Sequence, residues 1–155
     1  MKIVFAITLL LAIAMGSAQA GLSLDLEEYR WKNRLLIIFA PSKTDQTYLK
    51  LQHALDRAED ALQGRDMLVF HLFASGSGWV GDIPVHAEAV RSFYRRFDVQ
   101  DQDLNLILIG KDGGEKVRQV GSFDLQDIFD RIDAMPMRQQ EMRERREIKN
   151  GGAAD

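Results

Sequence analysis

The chain has 155 residues, 28% of them charged, and 20 Lys and Arg against 23 Asp and Glu give a formal net charge of −3 at pH 7. So mild and mixed a charge does not suggest nucleic acid, for which a basic stripe is expected, and it gives little bulk attraction to an anionic membrane. The sequence contains no cysteine, which excludes thiol catalysis, disulfide exchange, iron–sulfur clusters and every thiolate zinc site.

The N-terminus has a positive start at Lys2, an apolar run over Ile3–Met15 broken only by Thr8, and the small-x-small ending Ala18-Gln19-Ala20. This layout predicts a secretory signal peptide over residues 1–20, cut after Ala20. The apolar run is shorter than the roughly 20 residues of a membrane span. The expected product begins at Gly21, has no transmembrane segment, and is exported to a periplasm or out of the cell.

An amphipathic lead-in, Leu22–Lys32, follows, and its Trp31 is expected to pack against the sheet edge. Arg34–Ser42 reads as a strand buried on both faces, because its apolar run is continuous rather than alternating. The spacing of Tyr48, Leu51, Leu55, Ala58 and Leu62 predicts one helix over Thr44–Gln63, with Ser42 and Asp45 as a capping-box variant and Gly64 as its stop. Met67–Ala74 is a second two-sided strand. Ser75–Pro84, with Gly76, Gly78 and Gly81, is expected to be a glycine loop.

A second helix over Val85–Phe97 carries Val90, Phe93 and Phe97 on one face. Leu104–Ile109 predicts a third strand, and Gly110-Lys111-Asp112-Gly113-Gly114 predicts a tight turn into an antiparallel partner at Glu115–Val120. The last helix of the domain starts near Asp124, and Pro136 interrupts it. The order β-α-β-α-β-β-α makes an α/β, thioredoxin-like three-layer sandwich. It divides the chain into the leader, a domain over 21–137, and a charged helical extension with a disordered tail over 138–155.

Three stretches, Leu24–Ser42 (LDLEEYRWKNRLLIIFAPS), Leu106–Arg118 (LILIGKDGGEKVR) and Ile132–Arg145 (IDAMPMRQQEMRER), resemble a thioredoxin-like domain family of unknown function. The family occurs as small exported bacterial proteins. It also occurs inside animal extracellular-matrix proteins of the sushi-repeat-containing and coiled-coil-domain-containing type. The resemblance implies fold and location, and it transfers no activity and no catalytic residue. A thioredoxin sets Cys-x-x-Cys at the opening of the first helix, where the helix dipole lowers a thiol pKa. Here that place holds Pro41-Ser42-Lys43-Thr44-Asp45-Gln46. Asp103 and Leu104 stand where a thioredoxin has its cis-proline. Both halves of the redox site are missing.

Two sets of residues remain as candidates. Ser42, Lys43 and Thr44 at the first helix N-terminus are a possible anion or ligand contact. Trp79, Lys111, Lys116 and Arg118 are a possible partner contact, although the turn and a basic edge strand also account for the last three. Gly76–Gly81 fits G-x-G-x-x-G but follows the wrong strand and lacks the downstream acid of a dinucleotide site. His53 is expected in solvent, His71 in the core and His86 at a helix start, with no metal spacing among them. No cofactor is implied. The leading expectation is a non-catalytic exported module that binds an envelope or extracellular protein or glycan. The alternative is an enzyme of unrecognised type with its site around Ser42–Asp45.

Overall fold

The computed structural model describes residues 25–151, so the signal-peptide reading of residues 1–20 lies outside the described residues. A 3-10 turn, Leu26–Tyr29, leads into β1 (Arg34–Ala40). Then come α1 (Gln46–Arg57), α2 (Glu59–Gln63), β2 (Met67–Phe73), β3 (Gly78–Val80) and β4 (Ile83–Pro84). The chain continues through α3 (Ala87–Arg96), β5 (Asn105–Ile109), β6 (Glu115–Val120), α4 (Leu125–Asp133) and α5 (Pro136–Gly151). The six strands form one sheet in the order β4-β3-β2-β1-β5-β6. β1 and β2 run parallel, and every other pairing is antiparallel. That is the expected sandwich, with a short hairpin added at the β2 edge.

β1 is the centre because all seven of its residues are buried. Its side chains alternate between faces. Leu36, Ile38 and Ala40 pack with Tyr48, Leu51 and Leu55 of α1 and with Ile128, Phe129 and Ile132 of α4. Leu35, Ile37 and Phe39 pack with Leu26 and with Val90, Phe93 and Tyr94 of α3. Each fully buried aliphatic side chain contributes about 1.5–3 kcal/mol, so this strand anchors both layers. The Tyr94 hydroxyl donates to the carbonyls of Ala40 at 3.0 Å and Leu72 at 3.3 Å, pinning α3 across the C-terminal ends of β1 and β2.

Four expectations change. The first helix is two, broken at Ala58, and its N-cap is Asp45, whose carboxylate accepts the Tyr48 N–H at 2.8 Å; Ser42 is not the cap. The Ser75–Pro84 stretch is not all loop, because Gly78–Val80 pairs with β2 and leaves room for no Cβ at Gly78. Trp31 does not pack the lead-in: it is 61% exposed at φ 64°, while Leu26 is buried and Tyr29 meets Phe70 edge-on at 5.5 Å. The boundary at 137/138 falls inside α5, which is seated on the domain by ion pairs.

Those pairs form a cluster at the N-terminal end of β1. Arg34, 1% exposed, donates to Glu141 at 3.2 Å from both Nη atoms and to the Arg65 carbonyl at 2.9 Å. Lys111 lies 2.8 Å from Glu141 and 2.9 Å from Asp66. Arg138 reaches Asp133 and Glu141, Arg65 reaches Asp133, and Arg145 reaches Asp66 and the Gly64 carbonyl. The Gln139 amide also donates to the Asp133 carbonyl. A run of charges that reads as a solvated face is therefore the means by which α5 is held.

Candidate functional site

The C-terminal ends of β1 and β2 and the β3 hairpin bring two separately predicted candidates together. β2 and β3 pair with His71 opposite Trp79, and the two rings stack with centroids 5.2 Å apart and planes at 20°. Phe73, two residues along on the same face, lies 5.0 Å from Trp79. Lys43, just after β1, sets its ammonium 4.9 Å from the Trp79 centroid and 5.9 Å from that of Phe73. A cation over an aromatic face at this range gains about 0.5–1 kcal/mol where solvent reaches it. Lys43 and Trp79 thus share one wall.

That wall borders a cleft of about 680 Å³, whose lining includes Lys43, Ser77, Trp79, Asp82 and His86. On the other side of Trp79 a second hollow of about 420 Å³ is lined by Asp56, Glu59, His71 and Asp82 among others. The indole forms the ridge between them. Gly78 permits this, since a Cβ there would lie 2.7 Å from the His71 carbonyl oxygen.

Beneath the ridge, the Tyr48 hydroxyl lies 3.0 Å from Nδ1 of His71. Burial lowers the His71 pKa to about 4 against the opposing pull of Asp56, so the ring is neutral near pH 7. Burial also raises Tyr48 to about 12, with Asp56 adding to the rise. A neutral imidazole and a protonated phenol make a stable support for the ridge and supply no ionised nucleophile.

The other members of the first candidate set are turned to local structure. Ser42 and Thr44 face each other at 3.2 Å between hydroxyl oxygens. The Asp45 carboxylate is committed to the helix start, which places a negative charge where an incoming anion would sit. The remaining partner candidates lie elsewhere. Lys111 belongs to the buried cluster with Asp66 and Glu141. Lys116 pairs with Asp112 at 2.6 Å, and Arg118 pairs with Glu115 while donating to the Phe97 carbonyl. The structure does not bring these three to Trp79.

Sequence reasoning missed His71 with Tyr48, and Asp82 with His86, as the surroundings of Trp79. The signal was faint but present: Gly78-Trp79-Val80 alternates small and large residues beside a strand, which suits a short pairing. Among the described residues no group of three His, Cys, Asp or Glu side chains is arranged to hold a metal ion. No cis peptide bond occurs among them either, and no helix is long and apolar enough to cross a membrane.

Comparison with known proteins bears on the family and the fold. Residues 25–141 match a family model described as a domain of unknown function, DUF4174. The chain is 30% identical over 133 residues to coiled-coil domain-containing protein 80 of Danio rerio, a match covering 76% of this chain and 15% of that protein's length. Among solved structures it is similar to the reduced 2-Cys peroxiredoxin of Plasmodium vivax, with TM-score 0.57 and 19% identity, covering 76% of this chain and 85% of that one. Thioredoxin peroxidase I of Plasmodium yoelii gives TM-score 0.53 and 18% identity, covering 74% and 79%. At these identities the structural likeness bears on the fold alone.

Proposed function

The chain belongs to the DUF4174 family of domains of unknown function and has a thioredoxin-like fold, and on that premise we propose that it is an exported, non-catalytic binding module. Its contact face is the Lys43–Trp79 wall and the cleft beside it. The observation that carries this reading is the Lys43 ammonium 4.9 Å over the Trp79 ring. A cation held over an indole at the border of an open cleft suits an acidic side chain of a partner or the hydroxyls of a glycan. The partner class is an envelope or extracellular protein or glycan. Export rests on the leader pattern of residues 1–20.

The enzyme alternative around Ser42–Asp45 has less support. Ser42 faces another hydroxyl rather than a base, Asp45 caps a helix, and Lys43 lies on an aromatic surface. A nucleophile needs an activating group within hydrogen-bond reach.

The test is site-specific photocrosslinking from position 77, in the lining of the cleft beside Trp79, of the chain lacking residues 1–20, in envelope or culture-fluid extract. The expected result is a discrete crosslinked species, competed by unlabelled protein, lost in Lys43→Ala and retained in Arg118→Ala. Crosslinking that no competitor displaces, or that ignores Lys43→Ala in folded protein, would refute the assignment.

A further inference from the structure

The outer edge of β2 is only partly covered. The ladder with β3 spans Phe70–Leu72, and the hairpin turns away at Gly81, where φ is 56°. Among the described residues no strand lies beside Met67–Val69 on that side. The Phe73 N–H donates toward β3, to the Ser77 carbonyl at 2.8 Å, whereas the Ala74 N–H donates the other way, to the Ala40 carbonyl at 3.1 Å. Backbone groups alternate in direction along a strand, so Met67 and Val69 aim their N–H and C=O groups outward, away from β1. Such a row of open donors and acceptors is a template on which another chain can pair.

Two hollows follow this edge. One, of about 390 Å³, borders Met67, Leu68 and Val69; the other is the hollow of about 420 Å³ beside Trp79. They share Glu59, Leu62, Val69, His71 and Gly81, and so form one groove. It runs past β2 from Met67 to His71, about 13 Å at 3.3 Å per residue. The floor is apolar, with Leu62 and Val69, and the rim carries the exposed carboxylates of Asp56, Glu59 and Asp82. Neither lining contains a Lys or an Arg. None of the three carboxylates makes an ion pair or a side-chain hydrogen bond among the described residues. The His71 ring is neutral near pH 7, and Lys43 lines the cleft across the indole ridge. The negative charge of the groove is therefore unanswered within the described chain.

We propose that this groove takes an extended basic segment of a partner protein, added to the sheet as a short strand against Met67 and Val69, with Lys or Arg side chains toward Asp56, Glu59 and Asp82. Main-chain bonds to the open edge hold such a segment, and its side chains at alternate positions select it. Side chains on one face of a strand recur every second residue, about 6.5–7 Å apart, so the preferred sequence carries a basic residue at every second position. An acidic segment would meet the same edge against like charge. This reading does not depend on the Lys43–Trp79 wall.

The experiment is an amide NMR titration of full-length protein with two end-blocked hexapeptides, one alternating lysine with threonine and the other glutamate with threonine. Two further forms of the lysine peptide carry backbone N-methyl groups, on the lysines in one and on the threonines in the other. The lysine peptide is expected to shift the Met67 and Val69 amides saturably and to bind about tenfold more tightly than the glutamate peptide. One N-methylated form should lose binding and the other keep it, because only one edge of an added strand pairs with β2. Asp56→Asn combined with Glu59→Gln, both on the exposed rim, should weaken the lysine peptide about fivefold, the loss expected for two exposed ion pairs. Lys43→Ala should not weaken it. Equal affinity for the lysine and glutamate peptides overturns the basic partner. An equal effect of the two N-methylated forms overturns strand addition, and the absence of saturable shifts overturns the site. Shifts of the same amides that grow with protein concentration, without peptide, would assign the edge to a second copy and overturn the choice of partner. None of these outcomes touches the Lys43–Trp79 reading.

Discussion

Glu141→Gln is the sharpest test of how α5 is held. The Glu141 side chain is 16% exposed and lies within 2.8 Å of Lys111, 3.2 Å of Arg34 and 3.4 Å of Arg138. Burial opposes its ionisation, but hydrogen bonds and charge from Arg34 and Lys111 outweigh that and hold the carboxyl at about 2, against an ordinary 4.5. At about 1.4 kcal/mol per pH unit, this lowering corresponds to about 3 kcal/mol of stability near neutral pH. Glutamine keeps the shape and removes the charge, leaving the Arg34 guanidinium buried without its counter-ion, for which a loss of about 3–5 kcal/mol is expected. Set against a total stability of about 5–15 kcal/mol, that corresponds to a melting point lower by about 10 °C or more.

Urea unfolding followed by circular dichroism, repeated from pH 7 to pH 2, measures it. The folded carboxyl titrates below the unfolded one, so its contribution is complete above about pH 4.5 and is lost as pH falls toward 2. The gap between wild type and variant must close over the same window. A paired Arg34→Met, Glu141→Leu replacement should regain much of the loss, because apolar side chains carry no charge to desolvate. A single variant within about 0.5 kcal/mol of wild type at pH 7 would show that the cluster does not hold the helix.

Three further outcomes are expected. His71 has a folded pKa of about 4 against 6.5, so the unfolded chain protonates first. Stability should fall as pH drops from 6.5 to 4, and His71→Leu should flatten that limb; the Asp56 carboxylate, Tyr48 hydroxyl and Trp79 ring face the imidazole, and an imidazole NMR titration near 6.5 would contradict this. Gly78→Ala drives a Cβ to 2.7 Å from a backbone oxygen and should cost about 1–3 kcal/mol, whereas Gly81→Ala, at φ 56° with nothing within 4 Å, should cost about 1; equal losses in urea titrations would refute the close β2–β3 approach. Expressed whole in a bacterium, the chain should be recovered outside the cytoplasm with an intact mass that begins at Gly21; a cytoplasmic, full-length product would remove the export proposal.

Much of the frame follows from local chemistry. A charged residue before a continuous apolar run makes Arg34–Ala40 a two-sided strand, and such a strand is stable only inside a sheet covered on both faces. The helical stripe of Tyr48, Leu51 and Leu55, and the Asp-Gly-Gly turn after Lys111, are equally local and were legible. The absence of cysteine ruled out a thiol–disulfide site without coordinates. What tertiary structure decided is which distant residues meet. The three-residue strand Gly78–Val80 is too short to declare itself, and only pairing with β2 sets Trp79 on His71 and under Lys43. The charges of α5 are locally indistinguishable from a solvated face, and only the seating of Glu141 on a buried Arg34 turns them into an attachment. Periodicity reports which side of an element is apolar; it says nothing of which opposite charge, tens of residues away, will lie beside it.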